Sequence, residues 1–226
     1  MEDKKKIPVS LESNKNDYVA SAAKSVLGVV PFAGSLLTEL AGTIIPNQRM
    51  DRIVNFAVLL EERLTRLEEE SIRNELKNEH FSDLLEEALV QAARTTSEER
   101  RIHIANLISN SLSIDAIAFQ ESKHLLRILG NLNDIEIIWL RYYLDSTMGG
   151  DEEFRNKHKD ILSPISREMG SPQPQRDKAA LQDSYKDHLS QLGLLKLEDD
   201  RNGRRSYKLA PFGRLLLREI SLAKPA

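Results

Sequence analysis

Helical periodicity along most of the chain, one apolar stretch from Val26 to Ile45, and an Asn-Gly turn between two short apolar runs near the C-terminus predict a mainly α protein. The expected architecture is an N-terminal multi-helix bundle containing an apolar helical hairpin, followed by a second helical domain that carries a small β-hairpin. With 226 residues, 40% of them hydrophobic, the chain can fill one large core or two small ones. Its formal net charge of -3 supplies no overall attraction to nucleic acid, so partners must be argued from local patches. The lack of cysteine excludes a disulfide framework, a thiolate metal site and a cysteine nucleophile, and it suits a reducing cytoplasm. Lys4, Lys5 and Lys6 are followed by polar residues rather than an apolar signal core, so secretion is not expected and residues 1–16 read as a mobile tail.

The first helix is expected from Asp17 to Val30, with Asp17 as its cap and Val19, Ala22, Ala23, Val26 and Leu27 on one side. Pro31 breaks or kinks it, and a second helix from Phe32 to about Thr43 ends before Pro46. Val26, Leu27, Val30, Phe32, Leu36, Leu37, Leu40 and Ile44 supply the apolar surface of this pair, and Gly34, Thr38 and Gly42 recur every four residues, which lets helices approach closely. A continuous helix of that length would reach roughly 30 Å, the thickness of a bilayer core. Two readings stay open: the hairpin is the centre of a bundle, or it leaves the bundle to enter a membrane. Glu39, its only charge, argues against a permanent span, because an acid at that depth costs on the order of a few kcal/mol.

From Asn47 a long amphipathic helix follows, with Ile53, Phe56, Leu60, Leu64 and Leu67 on its apolar stripe. Its opposite side, which includes Glu61, Glu62, Arg63, Arg66 and Glu68 to Glu70, reads as an ordinary solvated face. A break near Asn78, His80 and Ser82 leads to a helix whose apolar positions are Leu84, Leu85, Ala88, Leu89 and Ala92. Thr96 and Glu99 have capping-box spacing ahead of a helix from Glu98 to Leu112, with Ile102, Ala105, Ile108 and Leu112 expected inside. Arg100 and Arg101 oppose the dipole in its first turn, and pairing with Glu98 or Glu99 would relieve them. A further helix runs from about Asp115 to Leu129 and stops at Gly130. Asn133 and Glu136 then mark another start, before a segment whose lone Trp139 belongs in a core.

Two more helices are predicted at Lys157 to Met169 and Arg176 to Leu192, the second closed by Gly193. LLKLE and RSYKLA flank a polar turn in which Asn202 and Gly203 give the strongest short hairpin signal, and Pro211 opens a last helix. Three helices, a two-stranded wing and a closing helix are in the order of a winged-helix domain, placed at 133–222, which leaves 17–132 as the bundle. Leu192, Gly193, Leu194 and Leu195, then Tyr207, Leu209, Phe212, Gly213 and Leu216, resemble the ending of many bacterial winged-helix proteins. Together with the glycine-bearing apolar helices this resembles bacterial abortive-infection alpha type proteins, which implies a role in phage defence. The N-terminal half also resembles the HeLo-type helical bundles of cell-death effectors, which implies action on membranes. Neither resemblance carries over a catalytic or binding residue.

Arg201, Arg204, Arg205 and Lys208 are the candidate phosphate or partner contacts of the wing, and they outnumber Glu198, Asp199 and Asp200 by one. The helix that would enter a major groove is neutral, because Asp177, Asp183 and Asp187 balance Arg176, Lys178 and Lys186; nucleic acid is therefore disfavoured as the partner. His80, His103, His124, His158 and His188 lack metal-ligand spacing, and no P-loop, GxGxxG or GxSxG motif occurs. The sequence thus points to a non-enzymatic interaction protein without cofactor, metal or small-molecule substrate. Its expected partner is another protein or a second copy, its expected location the cytoplasm, and its conditional output action at the inner face of a membrane. A winged-helix transcriptional regulator is the runner-up, and a subunit of a larger assembly the third reading.

Overall fold

The computed structural model describes residues 47–64, 75, 78–113, 117–146, 150–165, 170–199 and 205–223. Val26, Leu27, Val30, Phe32, Leu36, Leu37, Leu40 and Ile44 lie outside the described residues, as do Leu67, Arg201, Arg204 and the Asn202-Gly203 pair. Within them the protein is mainly helical, with one two-stranded antiparallel sheet near the C-terminus. The chain divides into two units between Lys123 and His124, whereas the sequence reading set the boundary after 132. The signal at Asn133 marks the start of a helix, and the residues just before it already pack in the second unit: the His124 ring stacks 5.7 Å from that of Phe212.

In the first unit, α1 (Asn47–Leu64), α2 (Glu79–Arg94) and α3 (Glu98–Asn110) pack on one another. The three- and four-residue steps of α1 put Ile53, Phe56, Ala57, Leu60 and Leu64 in the core. From α2, Phe81, Leu84, Leu85, Ala88, Leu89 and Ala92 join them. Asn78 caps α2 by accepting at 3.0 Å from the His80 amide. The cap of α3 is Ser97, one position after the Thr96 signal; its Oγ accepts from the Arg100 amide at 3.2 Å, while Thr95 Oγ1 accepts from the Ser97 amide at 3.2 Å. Three consecutive hydroxyl residues offer competing caps, and the middle one is not used for α3.

The inward stripe of α3 consists of Ile104, Ala105, Leu107 and Ile108, with Ile102 only half-buried. Arg101 turns inward too and is 8% exposed. Rather than pairing with Glu98 or Glu99, it donates from Nε to Asn55 Oδ1 at 2.7 Å and from Nη1 to the Thr95 carbonyl at 3.4 Å. Its aliphatic stem thus lies in the core while the guanidinium is satisfied at the edge. The following helix, α4 (Phe119–Asn131), starts later than expected and runs through Gly130. At its first turn Phe119 meets Phe81, ring centroids 5.3 Å apart, and Lys123 pairs with Asp83.

The second unit holds α5 (Asp134–Tyr142), two short helices α6 (Glu152–Lys157) and α7 (Lys159–Leu162), α8 (Gln173–Gln191), β1 (Leu195–Asp199), β2 (Arg205–Leu209) and α9 (Pro211–Glu219). The predicted capping box is present: Asn133 Oδ1 accepts from the Glu136 amide at 2.9 Å, and Glu136 Oε2 accepts from the Asn133 amide at 2.8 Å. Of the helix expected from Lys157 to Met169 the described residues hold only α7; α6 ends at Lys157, where that helix was to start, and the two meet at His158, where φ is -111°. Asp151 caps α6 through the Phe154 amide, and Met169 lies outside the described residues. Pro174 in the first turn of α8 and Pro211 at the first position of α9 sit where a missing amide hydrogen does no harm. Gly193 closes α8 with φ of +73°, the left-handed conformation that favours glycine.

Candidate functional site

The register of the hairpin decides which side chains share a face. Leu195 lies opposite Leu209, Leu197 opposite Tyr207 and Asp199 opposite Arg205, while Lys196 lies opposite Lys208 and Glu198 opposite Ser206. Because side chains alternate along a strand, the first three pairs occupy one face and the other two the reverse face. Leu195 is buried, and Leu197 at 46% is exposed.

On the reverse face Glu198 gathers two cations: it pairs with Lys196 and lies 2.7 Å from Lys208 Nζ. The hydrogen bonds from Lys196 and then Lys208 hold its carboxyl down at about 2. On the other face Arg205 Nε lies 3.4 Å from Asp199. Of the four candidate phosphate or partner contacts, the structure therefore describes Arg205 and Lys208, and each faces a carboxylate of its own hairpin.

The hairpin, the C-terminal end of α5 and the side of α8 enclose a cleft of about 720 Å³, lined among others by Tyr142, Tyr143, Asp183, Asp187 and Tyr207. Tyr207 reaches from β2 and donates its hydroxyl to Asp187. That bond, followed by burial, pushes its ionisation up to about 12, and burial pushes the Tyr143 phenol up as well. Asp183 adds to both shifts, so the two hydroxyls lie in a negative field. The rings form a connected wall: Tyr143 is 6.4 Å from Tyr207 and 5.3 Å from Tyr142, which meets Trp139 edge-on at 5.7 Å. Lys186 Nζ lies 4.5 Å from the Trp139 ring centre and 3.8 Å from Asp183.

Two buried polar side chains hold α8 where the cleft needs it. Glu136, 4% exposed, uses Oε2 for its own helix cap and offers Oε1 to His188 Nδ1 of α8 at 2.7 Å. Gln182 donates to the carbonyls of Ile161 and Ser163 at 2.8 and 3.1 Å, satisfying acceptors that the end of α7 leaves over. Sequence reading counted Asp183, Lys186 and Asp187 only as part of a neutral helix. The structure turns these three toward the cleft, while Arg176 and Lys178 are exposed near the other end of α8. The signal present in the sequence was the i, i+4 spacing of the two aspartates.

Among the described residues, no group of three His, Asp or Glu side chains is arranged to hold a metal ion. Among them, too, no helix is long and apolar enough to cross a membrane. No protein-family model, no curated protein and no solved structure matches the chain.

Proposed function

We propose that the chain is a non-enzymatic interaction protein and that its C-terminal unit is a winged-helix-like module that binds a protein rather than duplex DNA. The observation that carries this reading is that the described cations of the hairpin are engaged from within: Lys196 and Lys208 pair with Glu198, and Arg205 with Asp199. A phosphate contact would have to take those cations from carboxylates already in place, whereas DNA-binding wings present their positive charge outward. Leu181 on α8 is 53% exposed, and with Leu197 it supplies apolar area of the kind that protein interfaces cover.

The test pairs two measurements on the full chain. Fluorescence anisotropy with a labelled duplex at low salt is expected to show no saturable binding. A photo-cross-linking amino acid at position 181 or 197, used in the source cells, is expected to give discrete protein adducts that the same group at exposed position 121 does not. Saturable duplex binding that falls with salt and is lost in Arg205→Ala with Lys208→Ala overturns the reading in favour of a DNA regulator. The membrane output expected of Val26 to Ile45 rests on sequence alone. Flotation with anionic liposomes, compared with Leu36→Asp and Leu37→Asp, tests it separately.

A further inference from the structure

We propose that the free edge of β1 pairs with the same edge of a second copy of this chain, joining two hairpins into one four-stranded antiparallel sheet. This names a partner for the surface at Leu197 and rests on the protein-binding reading. The Ala210 amide donates to the Leu194 carbonyl at 3.0 Å, and the register carries that bonded position on to Lys196–Lys208 and Glu198–Ser206. The amides and carbonyls of Leu195, Leu197 and Asp199 therefore point away from β2, and no backbone hydrogen bond among the described residues reaches them. Such a row is a template for a further strand. A two-stranded ribbon also falls short of the three or more strands at which sheets become stable on their own.

Charge selects the occupant. Edge lysines ordinarily keep strands apart, but here Lys196 stands two residues from Glu198 on one face of a strand whose middle residue is Leu197. A two-fold axis through Leu197 sets Lys196 opposite Glu198 of the other copy, twice, and brings together two Leu197 side chains that are each 46% exposed. Glu198 already holds Lys196 and Lys208 of its own hairpin, and its oxygens have sites for about four bonds, so the facing lysine adds to them. Centring the pairing on Lys196 or on Glu198 would set like charges opposite and use groups already bonded to β2. The edge of β2 has no such match, because a two-fold through Tyr207 sets Lys208 opposite Ser206 and Arg205 opposite Leu209.

Sedimentation velocity of the full chain over a range of concentrations is expected to show a monomer–dimer equilibrium. Leu197→Pro should abolish the dimer with the far-UV spectrum unchanged, since proline removes an amide hydrogen that the hairpin does not use. Lys196→Glu and Glu198→Lys should each weaken association about tenfold, because two facing pairs turn repulsive. A one-to-one mixture of those two chains should restore it, each then meeting the opposite charge, and no change within a single hairpin produces that rescue. In a mixed-isotope sample, a cross-peak between the α-hydrogens of Lys196 and Glu198 on different chains reports the register, since within one strand these residues are about 6.6 Å apart. A monomer at every concentration, a dimer indifferent to Leu197→Pro, or a mixture without rescue overturns the edge pairing. If the photo-cross-linker at 197 then gives adducts with other proteins, only the second copy falls; if positions 181 and 197 give none, the protein-binding reading falls with it.

Discussion

Phe56 and Tyr207 are both aromatic residues on elements with one face turned inward, yet they serve two different kinds of construction. Phe56 is fully buried in a core that α1, α2 and α3 build from aliphatic and aromatic side chains within a short span of sequence. Tyr207 is only half-buried and gives its hydroxyl to Asp187. The first region is held by area removed from water, which grows with every apolar atom enclosed. The second is held by pairings whose partners are far apart in the chain, so each can be removed singly.

Truncation separates the two modes most sharply. Phe56→Ala is expected to remove about 3–5 kcal/mol from the first unit, the loss of a buried aromatic plus its cavity, measured by urea unfolding followed by far-UV circular dichroism. Glu136→Ala comes next. It deletes one arm of the α5 capping box and the partner of His188 together, and a loss of about 1–3 kcal/mol is expected from urea unfolding followed by Trp139 fluorescence. If Phe56→Ala proves the milder of the two, the contrast between an area-driven core and a pairing-driven cleft is wrong.

Two glycines sharpen the account of how α8, β1 and α9 meet. Gly193 has φ of +73° and open space where a Cβ would go, so Gly193→Ala is charged only the left-handed backbone penalty of about 1–2 kcal/mol. At Gly213 the same atom would collide with the Leu194 carbonyl oxygen and come within 2.9 Å of Leu209 Cδ1. Gly213→Ala is therefore expected to displace α9 from the chain leading into β1. In the near-UV spectrum, the alanine at 213 should disturb the aromatic signal while the one at 193 leaves it native.

What could be read from the sequence follows the same division. Apolar periodicity found α1 and α2, and the Asn133–Glu136 pair found the start of α5, because each is written in residues three or four apart. The cap of α3 was misplaced by one position because Thr95, Thr96 and Ser97 all carry the required hydroxyl. The cleft was not legible: Tyr207 and Asp187 are 20 residues apart, Glu136 and His188 52, and no local pattern pairs them. Charge counting on α8 gave zero and hid that Lys186 turns toward Trp139 while Arg176 stays exposed. Tyr207 makes the hidden bond measurable. Its phenol is expected to ionise at about 12 and to fall toward 10 in Asp187→Asn, followed by ultraviolet absorbance difference spectra. The folded-state value is raised, so the stability this bond gives is whole below about pH 10 and is lost as pH climbs to about 12.

Glu198 gives the smallest effect on stability and the most direct bearing on function. It is half-exposed and its lysines are exposed, so the pairs add little to folding, but they decide whether Lys196 and Lys208 have positive charge to offer. Its carboxyl is held at about 2, below its ordinary 4.5. The ionised form is thus favoured in the folded chain, and what stability the cluster gives is present above about pH 4.5 and lost as pH falls toward 2. Carbon NMR of the side-chain carboxyl reads this directly. Lys196→Met should raise the midpoint more than Lys208→Met, since the hydrogen bond from Lys196 is the larger cause, and the double variant should return it to about 4.5. Salt at 1 M, where the screening length is about 3 Å, should raise it in the native chain as well. A native midpoint already near 4.5 would mean that Lys196 and Lys208 are not held by Glu198. Both would then be available to phosphate, and the case for a protein partner over duplex DNA would lose the observation on which it stands.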